Sequence, residues 1–499
     1  MSREVYSRKW DRMSAEEQKE YRDRKLSCFV NTRLYPYSPF YRKLFDDNKV
    51  KPGDIRTVED LRRLPFTYKA DIAPTAEDPE RFRQFVLQPD AELIKTYMPK
   101  IQQHRLSANR VFQGEQYLRK YLWANYSPVH LQFTTGRTGF PTPILYARAD
   151  MERMAEAGRR ILALAGFGTK MHFDEALVMN AMPFAPHLGF WMVSTMLERA
   201  GVLSFNSGGG RALGTGRILS AMENMKATGI IGMPGYVYHL LRTAAEQGRE
   251  FADLRLVLMA GERIPDGMKK KIGEYLDTLG ARDCFVLGAL GFTEARKAYS
   301  ECVPGGETGY HLYPDLDHFE LVDPDTEEPV GEGEDGELVY TCLEGQGTCV
   351  IRFRTGDFVK GGIVNEPCPS CGRMVPRLGS DIVRSGREKG FSLTKIKGTL
   401  VDQGAFFRVL GDNADIAEWQ VEIRKAMGDP YEVDEVDIFL APAAGADEES
   451  LKAEIESSIQ EAIEVKPNSV TFLDLEELVE RLRSESGMKE LRVVDRRSF

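Results

Sequence analysis

The chain has 499 residues, more than one hydrophobic core usually serves, so two or more domains are expected. Apolar residues make up 42% of it, enough for a large core, and the formal net charge of -10 disfavours nucleic acid as a partner. No apolar run approaches the roughly 20 residues that span a bilayer, and the opening Met-Ser-Arg-Glu-Val-Tyr-Ser-Arg-Lys-Trp lacks a secretory h-region, so a cytoplasmic protein without a membrane partner is expected.

In chain order, the stretch Ser38-Pro-Phe-Tyr-Arg-Lys43 and the run Leu61-Arg-Arg-Leu-Pro-Phe-Thr-Tyr-Lys69 precede a basic segment, 90–126. That segment carries Lys95, Lys100, His104, Arg105, Arg110, Arg119 and Lys120, and reads either as a guide for anionic groups or as a solvated helical cover. Next comes Thr134-Thr135-Gly136-Arg137-Thr138-Gly139-Phe140-Pro141-Thr142. Glycines let the backbone turn back toward an anion, while Thr hydroxyls and N–H groups supply donors, so the stretch reads as a phosphate loop or a surface turn. It lacks the Gly-Lys-Ser/Thr ending of a P-loop.

Beyond it, Ala149–Ala165 has helical spacing, Glu175–Asn180 reads as a buried strand, and Gly189–Ala200 as a helix. The alternation continues through Ile218–Ala227, Gly229–Met233, Val237–Glu246 and Leu254–Met259, which predicts a parallel sheet flanked by helices. Polar loops then follow strands, where open alpha/beta sheets bind ligands. From Gly390 onward the pattern changes to strands Val436–Leu440 and Val470–Leu473 with helices Glu448–Ile463 and Leu475–Arg483, as in a small alpha+beta unit.

Cys368-Pro-Ser-Cys371-Gly presents two thiols at the spacing of a zinc knuckle, which is half of a tetrahedral site. Cys28, Cys284, Cys342 and Cys349 read as buried free thiols, with Cys342 or Cys349 available as a replacement ligand.

Five blocks in order resemble the adenylate-forming enzymes, the superfamily of acyl-CoA synthetases and luciferases. They are the Thr134–Thr142 loop, Ala260-Gly261-Glu262, Gly291-Phe292-Thr293-Glu294, Arg354-Thr-Gly-Asp357 and Lys489-Glu-Leu-Arg492. The amino-terminal runs and the Lys489 tail resemble the phenylacetate-CoA ligase branch in particular. The resemblance implies a large alpha/beta adenylation domain at 1–386, interrupted by the 90–126 insert, and an alpha+beta lid at 387–499. It implies ATP/AMP, magnesium and coenzyme A as ligands. Thr134, Thr135, Gly136, Thr138 and Gly139 would hold phosphates, and Ala260, Gly261, Glu262, Leu290, Gly291 and Phe292 would border the adenine. Thr293 would meet the alpha-phosphate, Glu294 would hold magnesium, Asp357 would grip the ribose, and Lys489 would act on the carboxylate.

The same resemblance adds Cys302 and His311 to Cys368 and Cys371 as a structural zinc set, and places Phe184, His187, Met233, Pro234 and Ala289 around the acid. It departs from the family at Arg137, at Phe140, at Leu290 where an aromatic residue is usual, and in the hinge Arg384–Gly390, where Lys389 is the candidate pivot. Each acid or base also has an ordinary reading: Glu294 as a helix-capping acid, Asp357 as a turn residue, Lys489 as a solvated side chain.

The function so implied is an ATP-dependent, AMP-forming carboxylate-CoA ligase for an aryl or arylacetic acid, with a homodimer left open. The alternatives are an adenylating enzyme that loads a carrier protein or amine, and a non-catalytic nucleotide-binding protein of the same fold.

Overall fold

Short apolar runs alternating with helical periods fold as a parallel sheet because each run is covered on both faces. The computed structural model describes residues 10–114, 116–134, 142–262, 264, 266–304, 308–384, 393–397, 399–402, 404–411, 413–443, 445–482 and 492–497. An antiparallel hairpin, β1 (Pro128–Thr134) and β2 (Thr142–Ala147), comes first. The strands β3 (Leu177–Ala181), β4 (Leu203–Asn206), β5 (Gly229–Gly232), β6 (Leu256–Ala260), β7 (Phe285–Phe292) and β8 (Lys297–Ser300) form one sheet in the order β4-β3-β5-β6-β7-β8. All neighbours run parallel except β7 and β8. Every residue of β3 and of β5 is buried, the burial expected of a sheet with helices on both sides.

The helices fall where the periodicity placed them, at Arg148–Leu164, Leu188–Ala200, Thr215–Asn224 and Pro234–Glu246. Gly201, at φ 71°, terminates the second in a left-handed conformation that suits glycine. Pro234 opens the last, where a missing N–H costs nothing. Gly158 lets the first two helices approach closely, since a Cβ there would lie 2.7 Å from that of Met196.

Between this sheet and the carboxy-terminal part lies antiparallel structure that the periodicity did not separate. Asp317–Val322, Gly336–Cys342, Phe353–Lys360 and Asp381–Arg384 form one sheet in that order. A smaller sheet joins Ile363–Val364, Arg377–Leu378 and Tyr310–His311. The basic segment folds as three helices, Ala91–Tyr97, Lys100–Gln113 and Tyr117–Tyr126.

The carboxy-terminal part has its own hydrophobic cluster, drawn from residues between Ile396 and Val470. Its sheet runs Ser469–Phe472, Asp434–Pro442, Ile416–Lys425, Val493–Asp495, and the long strand Ile416–Lys425 has no counterpart in the sequence-based expectation. Helix Glu448–Ile463 is capped by the Asp447 carboxylate, which accepts from the Ser450 N–H at 3.0 Å. It buries Leu451, Ile455, Ile459 and Ile463, a four-residue repeat along one face, each worth about 1.5–3 kcal/mol of transfer free energy.

Candidate functional site

The carboxyl ends of the parallel strands open into a cavity of about 860 Å³, inside the size range of small-molecule sites. Strand β1 brings Thr134 to it, β6 ends in Ala260, Gly261 and Glu262, and β7 brings Ala289, Gly291 and Phe292 with Thr293 and Glu294 in the turn that follows. Phe184, His187 and Met233 line the apolar part. Three expected residues lie off its wall. Leu290 packs on the core, alternating in direction with Ala289 and Gly291 as strand residues must, Pro234 is buried in the first helical turn, and Asp357 sits on the antiparallel sheet opposite Arg384.

The hairpin of β1 and β2 brackets the Thr/Gly loop. Thr134 and Thr142 are buried, and their hydroxyls have no hydrogen-bond partner among the described residues. Such hydroxyls cost free energy unless a ligand satisfies them, and they flank the loop that reads as a phosphate grip. Thr135, Gly136, Arg137, Thr138, Gly139 and Phe140 lie outside the described residues, as do Lys489 and the candidate pivot Lys389.

Thr293 and Glu294 stand on a tight turn with a rigid base. The Ala295 N–H donates to Phe292 O at 3.2 Å and the Arg296 N–H to Thr293 O at 3.1 Å. Behind the turn, buried Arg296 lies 3.0 Å from the Asp150 carboxylate and buried Lys297 is 3.0 Å from Asp317. Burial alone would favour neutral Asp150, but Arg296, Arg153 and the N–H groups of Gly347 and Ala147 hold its carboxyl below the ordinary range. No helix follows Glu294, so the capping alternative is ruled out; β8 does, and Glu294 remains buried at the cavity wall.

The apolar wall is aromatic. Phe184 and Phe190 meet edge to face with centroids 5.1 Å apart, and Phe190 meets Trp191 at 5.5 Å. His187 joins this wall to the hairpin, for its Nδ1 donates to Phe133 O at 3.1 Å while the Phe133 N–H donates to Pro186 O at 2.7 Å. The hydrogen bond fixes the tautomer of His187 and the carboxyl end of β1.

Sequence reading missed two parts of the lining. Gly208, Gly209 and Gly210 border the cavity, the first two at φ 68° and 75°, and a Cβ on Gly210 would meet the Tyr236 hydroxyl oxygen at 2.8 Å. The triple glycine was the available signal. Lys397, Thr399, Lys425, Asp434 and Asn468 close another side from the carboxy-terminal part, and no local pattern marks them. Lys397 is held by Asn468, its Nζ donating to Oδ1 at 2.6 Å, and Lys425 by the Asp434 carboxylate at 3.0 Å.

A second cluster lies away from the cavity. The ligand atoms of Cys302, His311, Cys368 and Cys371 all fall within 4.8 Å of one another. Cys302 Sγ is 3.7 Å from Cys368 Sγ, close to the edge of about 3.8 Å that two thiolates make around one tetrahedral zinc. Cys371 Sγ is 3.3 Å from His311 Nε2, and the His311 Nδ1 has no partner among the described residues. Gly372, at φ 70°, turns the knuckle so that its N–H donates to Cys368 O at 2.8 Å. The hydrogen bond with Cys302 and the His311 ring pull the Cys371 thiol far below its ordinary range, while the same contact and burial push Cys302 up. Three thiols this close cannot all ionise without a cation, and the soft, closed donor set fits zinc. Cys342 and Cys349 are buried outside this group, whereas Cys28 is exposed on the solvent face of helix Ala15–Phe29 rather than buried as expected.

The family model described as AMP-binding enzyme matches residues 78–347, more than half of the chain. The phenylacetate-coenzyme A ligase of Thermus thermophilus is 27% identical over 370 residues, covering 73% of this chain and 69% of that one. That of Pseudomonas putida is 24% identical over 355 residues, covering 70% and 67%. A crystal structure of 2-hydroxyisobutyryl-CoA ligase with 2-HIB-AMP and CoA superposes with a TM-score of 0.71 at 22% identity, covering 97% of this chain and 91% of that chain. The relatives are those the motif order pointed to, and the shared fold is the alpha/beta architecture it implied. With the match spanning the phosphate-loop hairpin, the parallel sheet and the Thr293-Glu294 turn, the chain belongs to the AMP-binding enzyme family.

Proposed function

We propose that the chain is an ATP-dependent, AMP-forming carboxylate-CoA ligase of the phenylacetate-CoA ligase type, acting on an aryl or arylacetic acid. The observation that carries this reading is that one cavity gathers Thr134, the Ala260–Glu262 loop, the Gly291–Glu294 block and the aromatic wall around Phe184 and Phe190. In this reading residues 1–386 form the adenylation domain and 387–499 the lid, a division supported by the separate carboxy-terminal core.

In the first half-reaction a carboxylate oxygen attacks the alpha-phosphorus of ATP, the bond to pyrophosphate breaks, and an acyl-adenylate forms. Charge then spreads over phosphate oxygens, and preorganised donors lower that barrier most. Thr134, with Thr138 and Gly139 of the loop after it, would hold the departing pyrophosphate, and Thr293 would meet the alpha-phosphate. Lys489 brings positive charge to the carboxylate. Glu294 would hold magnesium, which supplies charge neutralisation on the phosphates. Ala260, Gly261 and Glu262 would border the base, and Asp357, on the antiparallel sheet outside the cavity wall, would hold the ribose hydroxyls.

In the second half-reaction the CoA sulfur attacks the acyl carbon, the bond to AMP breaks, and the thiol proton is released. Lys397, Thr399 and Lys425 wall another side of the cavity, from which the second substrate would approach a bound adenylate. His187 and Met233, beside the aromatic rings, would select a flat acid. Zinc at Cys302, His311, Cys368 and Cys371 would be structural, since four protein ligands leave no open position.

The test is acid-dependent exchange of labelled pyrophosphate into ATP across aryl, arylacetic and short aliphatic acids, followed by CoA addition. Exchange and a thioester with an aryl or arylacetic acid are expected. Exchange without a thioester would transfer the reading to another acceptor, and absence of exchange despite ATP binding would overturn it.

A further inference from the structure

Helix Lys100–Gln113 buries none of its residues. It touches the body through the stripe Gln103, Leu106 and Asn109, which recurs every three residues, and Asn109 donates to the Tyr117 hydroxyl at 3.1 Å. At 100° per residue, the opposite face carries Ile101, His104, Arg105, Ala108, Val111 and Phe112. Three of these are large and apolar, yet Ile101 is 72% exposed, Val111 82% and Phe112 86%. The following helix, Tyr117–Tyr126, adds exposed Trp123 between exposed Arg119 and Lys120.

The charge here opposes that of the whole chain. Residues 93–131 contain six Lys and Arg, at 95, 100, 105, 110, 119 and 120, against one acid at 115, in a chain of net charge -10. Among the described residues no ion pair engages Lys100, Arg105, Arg119 or Lys120. An outward helix face that mixes large apolar side chains with unneutralised cations matches a surface that is anionic outside and apolar beneath. Trp is a residue that settles at such a boundary, and the neighbouring helix supplies exposed Trp123.

We propose that the helical pair 100–126 docks the protein on the surface of an anionic lipid bilayer, with Ile101, Val111 and Phe112 entering the headgroup boundary and the cations facing lipid phosphates. This is peripheral attachment, since no helix among the described residues is long and apolar enough to cross a membrane. A second copy of the chain fits less well, because a two-fold interface would set this basic patch against itself. An acidic protein would need a groove for a protruding convex face, whereas lipid headgroups yield around it.

The experiment uses the purified full chain and sedimentation with vesicles of phosphatidylcholine alone or containing about one third phosphatidylglycerol. At low salt, at least tenfold stronger partitioning onto the phosphatidylglycerol vesicles is expected, falling as salt rises. The double variant Val111→Ser/Phe112→Ser and the triple variant Lys100→Gln/Arg105→Gln/Lys120→Gln should each lose most of that partitioning. Their melting temperatures and pyrophosphate exchange should stay within error of the parent, which separates docking from folding and from catalysis. Equal partitioning onto both vesicle types, no partitioning, or partitioning unchanged in both variants would overturn the proposal. So would a parent dimer that the serine variant converts to monomer while lipid binding is absent.

Discussion

The Tyr238 hydroxyl, on the helix Pro234–Glu246 that rises beside the cavity, donates to an Asp429 carboxylate oxygen at 2.7 Å, across 191 positions of sequence. The loop holding Asp429 docks on that helix through further contacts: Glu432 is almost fully buried, 3.3 Å from His239 Nδ1 and 3.2 Å from an Arg242 nitrogen. Tyr431 fills the space left by Gly267, where a Cβ would lie 1.8 Å from its hydroxyl. Removing a hydrogen bond to a charged group costs about 1.5–3 kcal/mol. Tyr238→Phe should therefore raise backbone hydrogen exchange across 426–433 by roughly tenfold or more while leaving β3 and β5 protected. Unchanged exchange in that loop would show that the contact does not hold it.

The cysteine cluster predicts one zinc per chain by elemental analysis of the purified protein. Cys302→Ser should remove it and lower the melting temperature by several degrees, because loss of the ion leaves buried thiols and His311 without their common partner. Pyrophosphate exchange measured well below the new melting temperature should persist. Full zinc content in that variant would reject the ligand assignment.

Lys489 and Glu294 are expected to act in the first half-reaction. Lys489→Ala should reduce exchange by at least a hundredfold, on the order of 3 kcal/mol, while ATP affinity changes less than threefold. Glu294→Gln should weaken the dependence of exchange on magnesium. Exchange at the parent rate in Lys489→Ala would remove its role.

Acid should loosen the joint between helix Arg148–Leu164 and the loop around Glu344. Burial alone would raise the Glu344 carboxyl, but Arg153, 2.6 Å away, and Lys25, 2.7 Å away, bring it down to about 2 from an ordinary 4.5. A folded-state value below the unfolded one gives stability that is present above about pH 4.5 and lost as pH falls toward 2. The shift sets an upper bound of ~3 kcal/mol, reduced by partial exposure. Glu344→Gln should therefore lower the urea midpoint at pH 6, and the gap from the parent should narrow as pH falls below 4.5 and close only near pH 2. A constant gap across that range would assign the loss to packing.

The sequence by itself determined the parallel sheet, because short apolar runs alternating with helical periods can bury both faces in few other ways. It also placed the helix Glu448–Ile463 and named the Thr/Gly loop, the Thr293-Glu294 block and the Cys368-Cys371 knuckle, since each is written in contiguous residues. It could not separate the strand Ile416–Lys425 or the antiparallel sheets between Tyr310 and Arg384, whose register rests on partners far along the chain. Only the tertiary structure decided that Leu290 turns to the core while Ala289 and Gly291 face the cavity, a consequence of the twofold alternation of a strand whose phase no single motif reveals. It alone brought Cys302 within 3.7 Å of Cys368 and set Lys397 and Lys425 on the wall of the cavity that Glu294 also lines, because distances between residues remote in sequence are fixed by packing, not by local preference.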